Sequence, residues 1–232
     1  MKSRTSGGST RGGQARETLR GWLLEGRWQP GDRLQPVALA EETGWSTTVV
    51  REALTHLAGE GLLTIQPNKG FFVPQLSLDE LTWITELRCR TEELAVGLAL
   101  ERGDLAWESD LIAAHHRLTR TMPRDEADGA FGADWLEAHH AFHGTLIAAC
   151  GVDKLCEIAS NLNDATMLFR RWALPSKNSQ RRDVAAEHQE ILEAALARDV
   201  VLTQQLLRKH YESTLAHIAH AGLRGEATVA AE

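Results

Sequence analysis

The sequence predicts a mainly α-helical protein: an N-terminal winged helix-turn-helix of three helices and a β-hairpin, then a C-terminal antiparallel bundle of about six helices. Apolar residues recur at helical spacing over most of the chain, and strand-like runs occur only between residues 62 and 73. A length of 232 residues suits two domains of unequal size. We expect a flexible basic arm over 1–13, the winged helix over 14–75, the bundle over 76–222 and a tail over 223–232.

The charge distribution favours a DNA-binding module attached to a module of another kind. Residues 1–75 carry nine basic and seven acidic side chains, a net charge of +2, whereas the remainder carries sixteen and twenty-five, a net charge of −9. No apolar run is long enough to span a bilayer, and the first residues lack the apolar stretch of a secretory signal. The three cysteines lack CxxC spacing, which argues against a disulfide framework and favours a reducing cytoplasm.

The first predicted helix is amphipathic. Leu19, Trp22 and Leu23 recur at helical spacing from Ala15, and the pattern stops near Gly26. The Pro-Gly pair at residues 30 and 31 then predicts a turn, because each residue restricts or permits particular backbone angles.

Two short helices and a hairpin follow this turn. The first short helix ends at Gly44, and Ser46 is an N-cap for the second, which ends near Gly61. Residues 62–65 and 71–73 read as strands around a polar tip, and therefore as a wing. A helix-turn-helix followed directly by such a hairpin is typical of a winged helix that binds DNA.

Three strings in this part resemble the DNA-binding domain of GntR-type regulators: PGDRL (30–34), LAEETGWSTTVVREAL (39–54) and GLLTIQPNKGFFV (61–73). The resemblance implies that residues of the recognition helix and of the wing contact a double-stranded DNA operator. The helix residues are Ser46, Thr47, Thr48 and Arg51, and the wing residues are Lys69 and Gly70. The alternative is that Arg51 is a solvent-facing charge and the Ser/Thr run only a cap. Where the family commonly has Arg, this chain has Thr47, and Val37 and Ala38 stand where many members offer another Arg, so the operator sequence cannot be transferred.

The sequence of the second half of the chain predicts helices and no strands. Ser77 and Glu80 fit a capping box that opens a long helix ending at Gly103. Breaks at Met122-Pro123, Gly151, Pro175 and Asp199 then separate helical patterns over 104–121, 128–150, 152–173, 179–198 and 199–221. An antiparallel bundle follows, with a ligand site expected between its helices.

This half resembles the FCD ligand-binding domain of the FadR-like branch of GntR regulators. The resemblance rests on Arg88 with Glu92, the segment 139–143 (His-His-Ala-Phe-His), the segment 187–192 and the segment 208–210, which stand in the family's order. It implies an effector-binding and dimerising domain, and hence a homodimer. The lack of a long apolar run predicts no membrane association.

Four histidines in this half form a candidate metal site. His139 and His143 are four residues apart and so share one helix face, while His188 and His210 lie on two other helices. Imidazoles meeting between three helices would bind a first-row divalent ion. The family usually has Asp where His139 stands, which favours Zn²⁺ or Ni²⁺ here and a more positive site for an anionic effector. Ordinary polar positions are the alternative, as is His140 in place of His139.

The predicted function is therefore a transcription regulator, expected to be a repressor, controlled by a small organic acid bound near the metal. Arg88 is the candidate anchor for the effector carboxylate, with an ion pair to Glu92 as the alternative role. A metal-dependent enzyme on the bundle is disfavoured, because only Glu137 and His140 show Glu-x-x-His spacing and no nucleophile motif occurs. A binding module without regulated DNA contact is the third possibility, supported only by Thr47.

Overall fold

The computed structural model describes residues 10–121, 132–173 and 182–223. The chain divides into two compact units, Met1–Gln75 and Leu76–Glu232. Within the described residues it contains nine helices and one three-stranded sheet, and the sheet lies entirely in the first unit. The predicted fold class, mainly helical with a winged helix before a helical bundle, is confirmed.

The first unit is a winged helix. Its elements are α1 (Arg11–Leu24), β1 (Arg33–Leu34), α2 (Pro36–Thr43), α3 (Thr47–Gly59), β2 (Thr64–Gln66) and β3 (Gly70–Phe72). Helix α1 packs against α3, and each buries an apolar face: Leu19 and Leu23 on α1, Leu54 and Leu57 on α3. Because that burial occupies one side of α3, the opposite side of the helix is left to solvent.

The sheet contains one strand more than the predicted hairpin. Its order is β1-β3-β2, with both pairs antiparallel, and Arg33 on β1 lies opposite Phe72 on β3. A strand of two residues is too short to show alternation, so only its pairing with β3 defines it. The hairpin strands also begin and end within two residues of the predicted bounds.

Helix α1 begins earlier than predicted. Thr10 caps it, since its side-chain oxygen accepts a hydrogen bond from the Gly13 amide at 3.2 Å, and the helix runs from Arg11. The basic arm predicted over 1–13 therefore overlaps α1. Its first nine residues lie outside the described part of the chain.

The second unit is a bundle whose central helix contacts three others. Its helices are α4 (Leu78–Arg102), α5 (Leu105–Thr121), α6 (Ala133–Ala148), α7 (Asp153–Trp172), α8 (Val184–Leu196) and α9 (Val200–Ala221). Ser77 caps α4 by accepting from the Glu80 amide at 3.1 Å, and α4 packs against α6, α7 and α9. This arrangement brings the polar face of α4 towards the histidine-bearing helices.

Two helix starts differ from prediction. Helix α6 begins at Ala133 and α8 at Val184, and the described residues directly before them, 132 and 182–183, are not helical. The predicted starts at 128 and 179 lie outside the described residues. For α8 the reason is Asp183, whose carboxylate accepts from the Ala186 amide at 2.9 Å and so fixes the N-terminus there. The predicted breaks at Met122-Pro123 and Pro175 lie outside the described residues.

The end of the described chain belongs to the bundle. Leu223, where the tail was predicted to begin, pairs with Ala173 in an isolated β-bridge and is buried in an apolar cluster with Phe169 and Ile218. Residues 224–232 lie outside the described part. None of the described helices is both long and apolar enough to cross a membrane.

Candidate nucleic-acid interface and candidate metal centre

The N-terminal half of α3 presents an exposed polar face. Ser46 caps the helix, accepting from the Val49 amide at 3.3 Å, and Ser46, Thr47, Thr48 and Arg51 are all exposed. The free amides of this helix start and the helix dipole favour an anionic group such as a phosphate. Arg51 lies one turn further along, where a guanidinium can reach a phosphate or a guanine edge.

Three further residues extend this face beyond those predicted. Glu52, Thr55 and His56 are exposed and line a shallow surface depression together with Thr48 and Arg51. Helical spacing from Thr48 to Glu52 and Thr55 could have indicated them in the sequence. A glutamate on such a face can accept a hydrogen bond from a cytosine amino group.

The wing carries exposed cations. Lys69 is exposed at the tip of the β2–β3 hairpin, and the turn is closed by its amide donating to the Gln66 carbonyl at 3.0 Å. Gly70 has φ of 102°, in the region that L side chains rarely adopt. Arg33 on β1 flanks it, since a Cβ on Gly70 would lie 3.9 Å from the Arg33 guanidinium. Arg33 is a further basic residue that sequence reasoning missed.

The four predicted histidines lie together inside the bundle. Helix α6 provides His139 and His143, α8 provides His188 and α9 provides His210, and none is more than 3% exposed. One ring nitrogen from each can be chosen so that all lie within 4.8 Å of one another. The neighbouring His140 instead has 39% of its side chain exposed, and its Nδ1 lies 3.1 Å from the Asn163 side-chain amide.

Hydrogen bonds fix which nitrogen of three rings carries the proton. His188 Nδ1 lies 2.7 Å from the Val184 carbonyl, and His210 Nδ1 lies 2.7 Å from a carboxylate oxygen of Glu187. Both of these partners are acceptors, so each Nδ1 is assigned as the donor. Arg182 Nη2 also lies 3.1 Å from His210 Nδ1, but its two hydrogens are donated to Glu187 and to the His210 carbonyl. His143 Nδ1 lies 3.0 Å from the Tyr211 hydroxyl, which uses its own proton to bond Glu92. Each of these rings therefore has an unprotonated Nε2.

The protein alone does not provide hydrogen-bond donors for these unprotonated nitrogens within the cluster. His143 Nε2 and His188 Nε2 face each other at 3.3 Å, so two lone pairs point at one another with no proton between them. Both ring nitrogens of the buried His139 lack a hydrogen-bond partner among the described residues. Buried polar atoms rarely remain unpaired, and a cation between the rings would bind Nε2 of His143, Nε2 of His188 and one nitrogen of His139.

The distances and the charge state also suit a metal ion. Two nitrogens bound to one tetrahedral Zn²⁺ at about 2.0–2.1 Å lie roughly 3.3–3.4 Å apart, which matches the His143–His188 pair. Burial lowers the pKa of His188 to about 3, and burial first, then neighbouring positive charge, holds the pKa values of His139, His143 and His210 well below the ordinary value. Neutral imidazoles are the form that binds metals.

Arg88 lies beside this cluster and is already engaged. It is 2% exposed, its Nε donates to Glu92 at 2.7 Å, and another of its nitrogens donates to the Asn163 side-chain oxygen at 2.8 Å. Its guanidinium also lies 4.0 Å from the centre of the Tyr211 ring. The structure thus shows the ion pair that was the alternative role for Arg88.

A small cavity adjoins the cluster between α4, α6 and α7. Its volume is about 40 Å³, and its wall includes Glu92, His140, His143 and Asn163. This space holds about one water molecule, so any organic ligand there requires the surrounding helices to move.

A winged helix with an exposed recognition face, followed by an all-helical domain with an enclosed polar centre, defines a two-domain DNA-binding regulator. Comparison with known families gives the particular family. Residues 12–73 match the model of the bacterial regulatory proteins of the gntR family, and residues 83–213 match the FCD domain. The chain belongs to the GntR family of transcriptional regulators and carries an FCD domain, as its resemblance to the FadR-like branch predicted.

Individual relatives agree with this assignment. The HTH-type transcriptional repressor GlaR of Escherichia coli is 30% identical over 206 residues, covering 88% of this chain and 93% of GlaR. BphR of Paraburkholderia xenovorans, an uncharacterized HTH-type transcriptional regulator, is 32% identical over 89% of this chain and 84% of its own length. Escherichia coli McbR/YncC has the same fold, with a TM-score of 0.76 and 24% identity over 90% of this chain and 97% of its own. GlaR and BphR are both named as transcriptional regulators, which agrees with the prediction of a regulator rather than an enzyme.

Proposed function

We propose that this regulator is a repressor whose operator binding is controlled by a small organic acid, bound next to a divalent metal ion held by His139, His143, His188 and His210. The observation that supports this most strongly is the convergence of four buried, neutral imidazoles with unprotonated nitrogens facing each other. A divalent ion at that point supplies a positive charge for the oxygens of an anionic ligand.

The donor set favours Zn²⁺, with Ni²⁺ second. All four candidate ligands are imidazoles, which suit Zn²⁺ and Ni²⁺, whereas Mg²⁺ and Mn²⁺ prefer carboxylate oxygen. Outer contacts support the ligands, since Glu187, the Val184 carbonyl and Tyr211 each hold one ring by its Nδ1.

The charges around the centre favour an anionic effector. Arg88, Arg170 and Arg182 lie near enough to the histidines to lower their pKa values. Because Arg88 is paired with Glu92, an effector carboxylate that uses Arg88 as its anchor must compete with that carboxylate. Such a competition changes the contacts between α4 and α9, since Glu92 also binds Tyr211. If the effector carboxylate replaces Glu92 as the partner of Arg88, ligand binding is converted into movement of α4 relative to α9.

Helix α4 supports a homodimer. Its buried side faces α6, α7 and α9, but Trp83, Leu87 and Leu94 are 69%, 55% and 55% exposed. An antiparallel α4 from a second copy, with a twofold axis between residues 90 and 91, places Leu87 opposite the partner's Leu94 and Trp83 opposite the partner's Leu98. The stripe is thus self-complementary, as a twofold interface requires. In the cytoplasm, the two winged helices of such a dimer would bind the two half-sites of one operator.

Operator binding is tested with DNA from the chain's own upstream region. We expect the full-length protein to retard one such fragment at low salt, and Arg51→Ala to weaken binding by about 5- to 150-fold, the equivalent of about 1–3 kcal/mol. Lys154→Ala is the matched control, because Lys154 is an exposed cation on α7 that pairs only with Glu157 among the described contacts. Equal affinity of all three proteins, or no retarded fragment with or without Zn²⁺, would contradict the proposed DNA contacts.

A further inference from the structure

The connection between α6 and α7 brings two cysteine side chains together. Cys150 follows α6 and Cys156 lies in the first turn of α7, and their Sγ atoms are 3.6 Å apart. Both are free thiols in this structure, Cys150 fully buried and Cys156 partly exposed. The third cysteine, Cys89, is buried on α4 with no sulfur contact among the described residues.

The turn that holds Cys150 is well anchored. The Cys150 carbonyl accepts a hydrogen bond from Arg102, and its sulfur accepts one from the Val152 amide at 3.4 Å. Gly151 has φ of 69° and lies so close to Arg102 that an added Cβ would be 3.1 Å from that guanidinium. A covalent bond to Cys156 would therefore be formed mainly by movement of the first turn of α7.

We propose that Cys150 and Cys156 form a reversible intrachain disulfide when the protein meets a hydroperoxide. A disulfide bond is about 2.0 Å long, so the sulfurs need to approach by roughly 1.5 Å. Formation of this disulfide requires neither a bound metal nor a bound effector.

The reaction is a two-electron oxidation with the partly exposed thiol reacting first. The Cys156 sulfur attacks a peroxide oxygen, the O–O bond breaks, and a sulfenic acid and an alcohol (water, from hydrogen peroxide) result. The Cys150 sulfur then attacks the sulfenic sulfur, the S–S bond forms, and water leaves. The two thiols lose two protons and two electrons in total, and the hydroperoxide is reduced.

The disulfide would change the cavity beside the histidines. Cys156 lines that cavity together with His143 and Glu92. Moving the first turn of α7 towards α6 alters the wall of the cavity that faces His143. Oxidation is thus a means of altering ligand access to the bundle.

The environment of Cys156 sets the rate of disulfide formation. Burial first, and then the hydrogen bond with Cys150, raise the pKa of Cys156 to about 11. Only the thiolate reacts, so the rate of disulfide formation should rise nearly tenfold per pH unit between about pH 7 and pH 9.

The experiment treats the full-length protein with hydrogen peroxide, blocks remaining thiols and digests with trypsin, which cuts after Lys154 between the two cysteines. We expect a disulfide-linked pair of peptides, 125–154 and 155–170, that reductant separates. The linked pair should persist in Cys89→Ser and vanish in Cys156→Ser. Sulfinic acid on Cys156 with Cys150 still a thiol, disulfides through Cys89, or a rate independent of pH would each overturn the proposal.

Discussion

Replacing His143 with alanine should abolish stabilisation of the protein by Zn²⁺. His143 Nε2 is 3.3 Å from His188 Nε2, and His143 is within ring contact of His139 and His210, so its loss removes one ligand and opens the centre of the cluster. The Tyr211–Glu92 hydrogen bond would lose its outer partner as well. The effect on metal binding is therefore expected to exceed that of removing a peripheral histidine.

The magnitude follows from linkage. An ion that binds only the folded protein stabilises it by about 2.7 kcal/mol when its free concentration is a hundredfold above Kd. For a domain of roughly 150 residues, each kcal/mol raises Tm by about 2–4 °C, so wild-type protein should gain about 5–11 °C. The His143→Ala variant should gain less than about 1 °C under the same conditions.

The assay is thermal unfolding of chelator-treated protein with and without added Zn²⁺. His115→Gln is the matched control, because His115 is a buried imidazole on α5 that lies outside the cluster. It should keep the full Zn²⁺ shift even if its own Tm is lower. A full shift in His143→Ala, or no shift in the wild type at saturating Zn²⁺, would refute the assignment of these residues to a metal.

Three further outcomes are expected. His139→Asp should still bind a divalent ion but shift the preference towards Mn²⁺, which competitive metal analysis would measure, because carboxylate oxygen replaces imidazole nitrogen; an unchanged preference would count against His139 as a ligand. Leu87→Arg should convert a dimer into monomers in sedimentation experiments, whereas Leu105→Arg, at an apolar position 77% exposed on α5, should not; dimers in both would exclude the α4 interface. Phe142→Ala should lower the free energy of unfolding by about 3–5 kcal/mol in denaturant titrations, because Phe142 is fully buried, and a loss below about 1 kcal/mol would mean that its surroundings collapse to fill the space.

Local pattern in the sequence was sufficient for the order of the elements. The apolar face of α3, the cap at Ser46 and the glycine-bearing hairpin all act within about fifteen residues, so they can be recognised without knowledge of the rest of the fold. The same holds for the pairing of His139 with His143, which depends only on helical spacing. Prediction was weakest for β1 and for the start of α8. Strand β1 is defined by its pairing with the remote strand β3, and the first residue of α8 is set by the single capping side chain of Asp183.

The sequence by itself therefore determined a winged helix, a helical bundle and a set of histidines that a bundle could bring together. Only the tertiary structure decided that His139 and not His140 points inward, that Arg88 is held by Glu92, and that Cys150 lies against Cys156. It also decided which nitrogen of His143, His188 and His210 is unprotonated. The reason is physical: periodicity encodes which face of a helix is apolar, whereas a polar atom's partner depends on how far neighbouring helices rotate and slide when their side chains interlock.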